Sequence, residues 1–226
     1  LFLPCCGLYI NNMYGLFGLY ELPMYIAYPI TIFLNLLIVN SINLIDGIDG
    51  LASGISVVAL IAYLILFSTL GVVSYTVFAA ALIGAVVVFM YYNLFGNIEK
   101  GTKTFMGDTG SLTIGGIIGV SAVVIHKELL LPIICGVFLM ESVSVILQTQ
   151  VYKWNKRKGK HIRLWKRTPL HDHYRTSVEQ VLKNDPTCRI VFKGSNKLQH
   201  ESKIVLRFCI VTLLLVGFAI LTLKLR

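Results

Sequence analysis

Apolar residues in this chain fall into long blocks, and six of them approach the length of a bilayer span: residues 24–42, 51–72, 75–92, 112–125, 129–151 and 204–223. A spanning helix needs about 20 mainly apolar residues. The fourth block is short for a span. Residues 1–22 are apolar too, but Pro4, Gly7, Asn11, Asn12, Gly15 and Gly18 interrupt them. That stretch reads as the end of an earlier helix followed by a re-entrant or interfacial piece. The pattern predicts an all-α fold, a polytopic transmembrane helical bundle of about six spans. Residues 1–226 are expected to form a single integral membrane domain, without internal repeats.

Composition agrees with a bilayer as solvent. Of the 226 residues 56% are hydrophobic and 14% charged, whereas a soluble domain carries about a quarter charged residues. Cys5, Cys6, Cys135, Cys188 and Cys209 show no metal-ligand spacing and read as small hydrophobes. Leu1 stands where an initiator Met would, so the true N-terminus is expected to be missing and further chain to precede residue 1.

The net charge of +9 is unevenly placed, since residues 152–203 hold 14 of the 20 Lys and Arg. Basic loops stay cytosolic, so residues 152–203 are expected to be a basic cytosolic loop. The connection at residues 93–108, with Lys100 and Lys103, lies two spans away and falls on the same side. So does the turn containing Asp46 and Asp49. Lys127, Lys224 and Arg226 fall on the other face. The excess of cations is thus a topology signal and an attraction for anionic membrane lipids, and no nucleic-acid partner is expected.

Three polar segments interrupt this apolar background. In the first, Asn40, Asn43, Asp46 and Asp49 recur every three residues at the end of a span, and Gly47, Gly50 and Gly54 lie among them. Residues three apart share a helix face. A carboxylate at membrane depth costs roughly 2.5–3.5 kcal/mol on insertion scales, so a pair there is a candidate site. The plainer reading is a helix-end turn with Asp46 or Asp49 as a cap. The second segment runs from Phe105 to Ser111, with Asp108 between Gly107 and Gly110 and Ser111 placed to cap the next helix. Asn93 ends the preceding span on the same face. The third, residues 167–175, sets His171 and His173 on one side of an extended stretch; its plainer reading is a solvated loop. Carboxylates with substrate phosphates are how Mg²⁺ is usually held, and basic groups nearby would neutralise phosphoryl charge.

These runs resemble the polyprenyl-phosphate N-acetylhexosamine-1-phosphate transferases. The resemblance rests on Asn40-x-x-Asn43-x-x-Asp46-Gly-x-Asp49-Gly and on Phe105-Met-Gly-Asp108-x-Gly-Ser111. In the C-terminal half Glu141 to Gln148, Thr168 to His173 and His200 to Lys203 resemble the phospho-N-acetylmuramoyl-pentapeptide transferase branch. Residues 15–23 and 93–97 look more like the N-acetylglucosamine-1-phosphate branch. The resemblance implies that Asp108 binds Mg²⁺ and that Asp46 and Asp49 line the diphosphate site, assisted by Asn40, Asn43 and Asn93. It implies that Phe105 stacks on uracil, Gln148 holds the nucleoside, and His171 and His173 contact the diphosphate or assist catalysis. The implied partners are a UDP-sugar donor, undecaprenyl phosphate and a second copy in a homodimer. The implied location is a bacterial inner membrane, with the active site on the cytosolic face.

The chain departs from the family pattern in lacking an adjacent Asp-Asp pair, in carrying Asp172 where three consecutive His are usual, and in a longer connection from Tyr174 to His200. The expected reaction is transfer of phospho-N-acetylmuramoyl-pentapeptide to undecaprenyl phosphate with release of UMP. The rival is the corresponding N-acetylglucosamine-1-phosphate transfer; a non-catalytic membrane protein is the third reading. Transporters place polar groups near the midplane, whereas these cluster at one edge.

Overall fold

A computed structural model describes residues 7–12, 20–125, 130–195 and 198–224. The expectations for residues 1–6 and 13–19, for Cys5 and Cys6, and for Lys127 and Arg226 lie outside the described residues.

The long helices are α1 (Met24–Ile45), α2 (Leu51–Thr69), α3 (Val73–Phe95), α4 (Gly107–Val124), α6 (Gly136–Arg157) and α9 (Glu201–Lys224), with a single turn, α5 (Leu131–Ile134), before α6. Five of them, all but α6, are long and apolar enough to cross a membrane. The chain is a polytopic membrane protein of the all-α class. A helix satisfies every backbone donor and acceptor within itself, which hydrocarbon requires.

Two expected spans differ from what is observed. The short block at 112–125 is the C-terminal part of α4, whose first turn consists of Gly107, Asp108, Thr109, Gly110 and Ser111. Those residues are helical but not apolar, so hydropathy missed them. The block at 129–151 breaks at Cys135, and α6 then runs on to Arg157. Glu141, Gln148 and the basic end of α6 keep it outside the five apolar helices.

The most buried helix is α2, with 72% of its spanning window inside the protein against 11% for α3. It packs against α3 and α9, while α1 packs against α4 and α6. The α1–α4 contact is close because Gly115 has no side chain: a Cβ there would lie 2.8 Å from the Cα of Val39. Across the α1–α6 contact the Ser41 and Ser142 hydroxyls bond at 2.7 Å. The exposed face of α3, with Phe78, Val88, Tyr91 and Phe95, has to meet lipid or other protein.

Residues 152–203 are not the plain loop expected. Strand β1 (Ile162–Trp165) pairs in parallel with β2 (Arg189–Phe192), and the crossover carries α7 (Leu170–Arg175) and α8 (Val178–Asn184). Trp165 stacks on its cross-strand partner Phe192 at 6.0 Å. A reciprocal capping box between Ser177 and Gln180 starts α8. Val181, Cys188 and Ile190 form a separate small core. Cys135 and Cys188 are buried free thiols, as expected of small hydrophobes.

Candidate active site

Three chain turns meet at one end of the bundle, and hydrogen bonds join them. Asn43, in the last turn of α1, donates to Asp108 Oδ1 at 2.9 Å and to Ser111 Oγ at 3.1 Å. Asn93, near the end of α3 and buried, accepts from Gly50 N at 2.6 Å. Its amide also donates to Thr104 O at 2.9 Å and reaches Asp49 Oδ1 at 3.4 Å. Asp49 is ion-paired with Lys103. The two loops on either side of α2 and α3 are therefore tied to each other and to the start of α4.

Neither Asp46 nor Asp49 caps α2. Its N-cap is Gly50, which turns the chain at φ 77° and leaves no room for a Cβ, since Leu94 Cδ2 would stand 2.5 Å away. Ser111 does not cap α4 either; it lies within that helix, donating to Gly107 O at 2.9 Å. Asp108 sits in the first turn of α4, where the helix dipole favours negative charge. Freed from capping, Asp46 and Asp108 remain available to a ligand.

Burial pushes the Asp46 carboxyl up to about 6. A hydrogen bond from the Gly107 backbone opposes that rise, and the charges of Asp108 and Asp49 add to it. Asp46 thus feels the charge of both other carboxylates, and Lys103 is paired with Asp49. Among the described residues no three His, Cys, Asp or Glu are grouped so as to hold a metal ion alone. Asp46 and Asp108, without a cationic partner among the described residues, still suit Mg²⁺, which commonly takes one or two carboxylates and completes its shell with substrate phosphates and water.

Phe105 holds an exposed ring beside this cluster, 65% accessible, with Lys103 Nζ 5.7 Å from its centroid. His171 reaches the cluster from the other side. Its Nε2 would lie 3.1 Å from a Cβ on Gly47, and its Nδ1 is 3.5 Å from Glu141 Oε1. The same Glu141 oxygen accepts from His171 N at 3.1 Å. Arg175 closes the contact by donating to Gly47 O at 3.1 Å.

Three expected site residues stand apart. Asn40 is exposed and donates back to Leu36 O of its own helix. Gln148 accepts from Leu164 N and Trp165 N and donates to Trp165 O, so its amide anchors β1 to α6. His171 and His173 do not share one face of an extended stretch: they lie on α7, where residues two apart point roughly 200° from each other. His173 faces away, accepting from Lys166 N at 3.2 Å and approaching Gly194.

Conversely, Lys103, Glu141 and Arg175 belong to the site and were not singled out for it. Glu141 had a legible signal, being an acidic residue inside an apolar block. Lys103 and Arg175 had none beyond their charge, since Lys100 stands beside the first and many cations surround the second in sequence.

The model of glycosyl transferase family 4 matches residues 1–126. Similar curated proteins carry the name phospho-N-acetylmuramoyl-pentapeptide-transferase. The one from Bacteroides thetaiotaomicron is 47% identical over 219 residues, covering 87% of this chain and 48% of that protein. The one from Phocaeicola vulgatus is 44% identical with the same coverage. The one from Flavobacterium psychrophilum is 41% identical, covering 88% of this chain and 46% of that protein. The chain spans about half the length of the curated relatives it matches. Coverage of 87% takes in both halves of the chain.

Proposed function

The chain belongs to glycosyl transferase family 4, and from that premise we propose that the full-length protein transfers phospho-N-acetylmuramoyl-pentapeptide from its UDP conjugate to undecaprenyl phosphate, releasing UMP. The observation that carries this reading is the convergence of Asp46, Asp49 and Asp108 with Asn43 and Asn93 at one end of the bundle. The names of the relatives supply the donor.

Each residue has a distinct task in that reaction. An oxygen of the lipid phosphate attacks the sugar-linked phosphorus, and the bond from that phosphorus to UMP breaks. The lipid phosphate is already ionised at neutral pH, so the nucleophile needs no general base. The work left to the protein is positioning and neutralisation of charge. Asp108, with Asp46 beside it, would hold Mg²⁺, which when bound supplies positive charge at the diphosphate. Asn43 fixes the Asp108 carboxylate through Oδ1. Asn93 fixes the turn that carries Asp49. Phe105 offers its exposed face for stacking on uracil. His171, backed by Glu141, presents Nε2 at the Gly47 turn, where it can donate to a phosphoryl oxygen.

The reaction face is cytosolic in this reading, in a bacterial inner membrane. Support comes from the 14 basic residues of 152–203, whose element touches the carboxylate turn through His171 and Arg175.

The test is transfer by the purified full-length protein with undecaprenyl phosphate and two donors assayed separately, UDP-N-acetylmuramoyl-pentapeptide and UDP-N-acetylglucosamine. Turnover with the first and not the second is expected. Asp108→Asn should lower Mg²⁺-dependent turnover by roughly a hundred-fold or more while leaving the elution profile unchanged. Turnover of UDP-N-acetylglucosamine alone would overturn the donor assignment, and an Asp108→Asn protein with unaltered Mg²⁺ dependence would overturn the metal assignment.

A further inference from the structure

The basic element contains a feature that the chemistry at the carboxylates does not use. A cavity of about 650 Å³ is lined by residues of β1, α7 and α8, and five of its side chains are cationic: Arg163, Lys166, Arg167, Arg175 and Lys183. Among the described residues that line it there is no carboxylate. Cations gathered in one concavity repel each other, so the fold holds them there against electrostatics.

Their partners do not account for all five. Asp172, the residue that departs from the triple-His pattern, pairs with Arg167 at 3.1 Å and with Arg175 at 3.4 Å. Arg175 also meets Glu201 at 3.2 Å. Lys166 is buried and donates to Ser195 O at 3.0 Å, a neutral partner. Arg163 lies over the Tyr152 ring at 5.4 Å, and its Nε is buried with no hydrogen-bond partner among the described residues. A buried donor without an acceptor is a standing cost that a bound anion removes. Guanidinium groups bind carboxylates through two parallel N–H bonds.

The position of the cavity indicates which anion. Arg175 lines it and also donates to the carbonyl of Gly47, between Asp46 and Asp49. The cavity therefore begins where the carboxylate cluster ends. A donor whose diphosphate lies at that cluster would extend its next portion past Arg175. A pentapeptide attached through its amino end keeps a free terminal carboxylate, and about 650 Å³ falls within the range of 300–1,000 Å³ usual for ligand sites. Continuity with the cluster favours this arm over a lipid headgroup, which would be a separate molecule.

We propose that this cavity binds the carboxylate-bearing peptide arm of the donor, with Arg163 and Lys183 as specificity-determining residues. The inference rests on the pentapeptide-donor reading above. It assigns the 152–203 element a recognition role distinct from the phosphoryl chemistry.

The test uses the full-length protein in vesicles of zwitterionic lipid with undecaprenyl phosphate. Two donors are compared: UDP-N-acetylmuramoyl-pentapeptide with free peptide carboxylates, and the same donor with those carboxylates converted to amides. Lys183→Gln and Arg163→Gln should each raise KM for the free-acid donor roughly ten-fold, equivalent to about 1.4 kcal/mol, and should not change KM for the amide. Lys183 is exposed on α8, so its variant decides the matter if Arg163→Gln fails to fold. Equal KM increases with both donors, or none with either, would overturn the proposal. So would an effect that appears only when anionic lipid is added, which would mark a headgroup site. Absence of any turnover of the pentapeptide donor by the unmodified protein would refute the underlying reading, and this inference with it.

Discussion

Asn93→Ala removes the side chain that joins the Asp49–Gly50 turn to the loop at Thr104. Three contacts go with it, and they differ in worth. The bond from Gly50 N at 2.6 Å is buried, and without it a backbone donor is left unsatisfied at a cost of about 1–3 kcal/mol. The bond to Thr104 O at 2.9 Å ends on an exposed residue, where water can replace it, so its loss costs about 0.5–1 kcal/mol. The contact to Asp49 at 3.4 Å is too long to add much. The total is roughly 1.5–4 kcal/mol. In a protein larger than 200 residues that corresponds to a fall of a few degrees in Tm, measurable by thermal scanning of the detergent-solubilised full-length protein. Turnover should fall further than stability does, because the Asp49 turn loses its register. Asn93→Asp separates the two effects. It keeps an acceptor for Gly50 N but sets a second carboxylate against Asp49, so it should retain more of the Tm than Asn93→Ala and still lose turnover. An Asn93→Ala protein with unchanged Tm and full turnover would refute the clamp.

Two further outcomes concern the basic element. Gln148→Leu removes the amide that bonds Leu164 and Trp165, so hydrogen exchange of β1 should accelerate by roughly ten-fold while exchange in α2 stays unchanged; equal protection of β1 in both proteins would count against the anchor. Burial, with Lys166 beside it, holds the His173 imidazole below its ordinary value of 6.5. As pH falls below that value the unfolded chain takes up a proton that the folded one refuses, so the stability of this element declines with falling pH. Protonation also removes the acceptor for Lys166 N. Exchange of that amide, corrected for intrinsic rate, should therefore be faster at pH 5 than at pH 8, and His173→Asn should flatten the difference. A pH-independent ratio in the unaltered protein would contradict this.

Much of the architecture was legible in the order of residues, because the hydrophobic signal is local. Uninterrupted apolar blocks dictate helices in a bilayer, where no other open structure satisfies the backbone. The same logic picks out Asp46, Asp49 and Asp108 as costly residues at span ends, and loop charge places their turns on one face. The first turn of α4 escaped because Gly107, Thr109 and Gly110 carry no apolar signal, although Asp108 suits the positive end of that helix.

Partners were not legible, because a pairing depends on how helices rotate against each other. Asn43 meets Asp108 across 65 residues, Asp49 meets Lys103 across 54, and Glu141 meets His171 across 30. Nothing in a local window distinguishes Lys103 from Lys100, and only the α3 to α4 connection brings Lys103 to Asp49. The parallel pair of β1 and β2 was equally hidden, since strands of four residues are too short for a periodic pattern and pair across a crossover. Apolar blocks in the sequence determined which segments leave water, for each position's polarity acts on its own solvent, but not which of them meet lipid: α2 and α3 are equally apolar, and only α3 is exposed. Tertiary structure alone decided that His171 faces Glu141 and the Gly47 turn while His173 faces Lys166, because a helix sends positions two apart to roughly opposite sides.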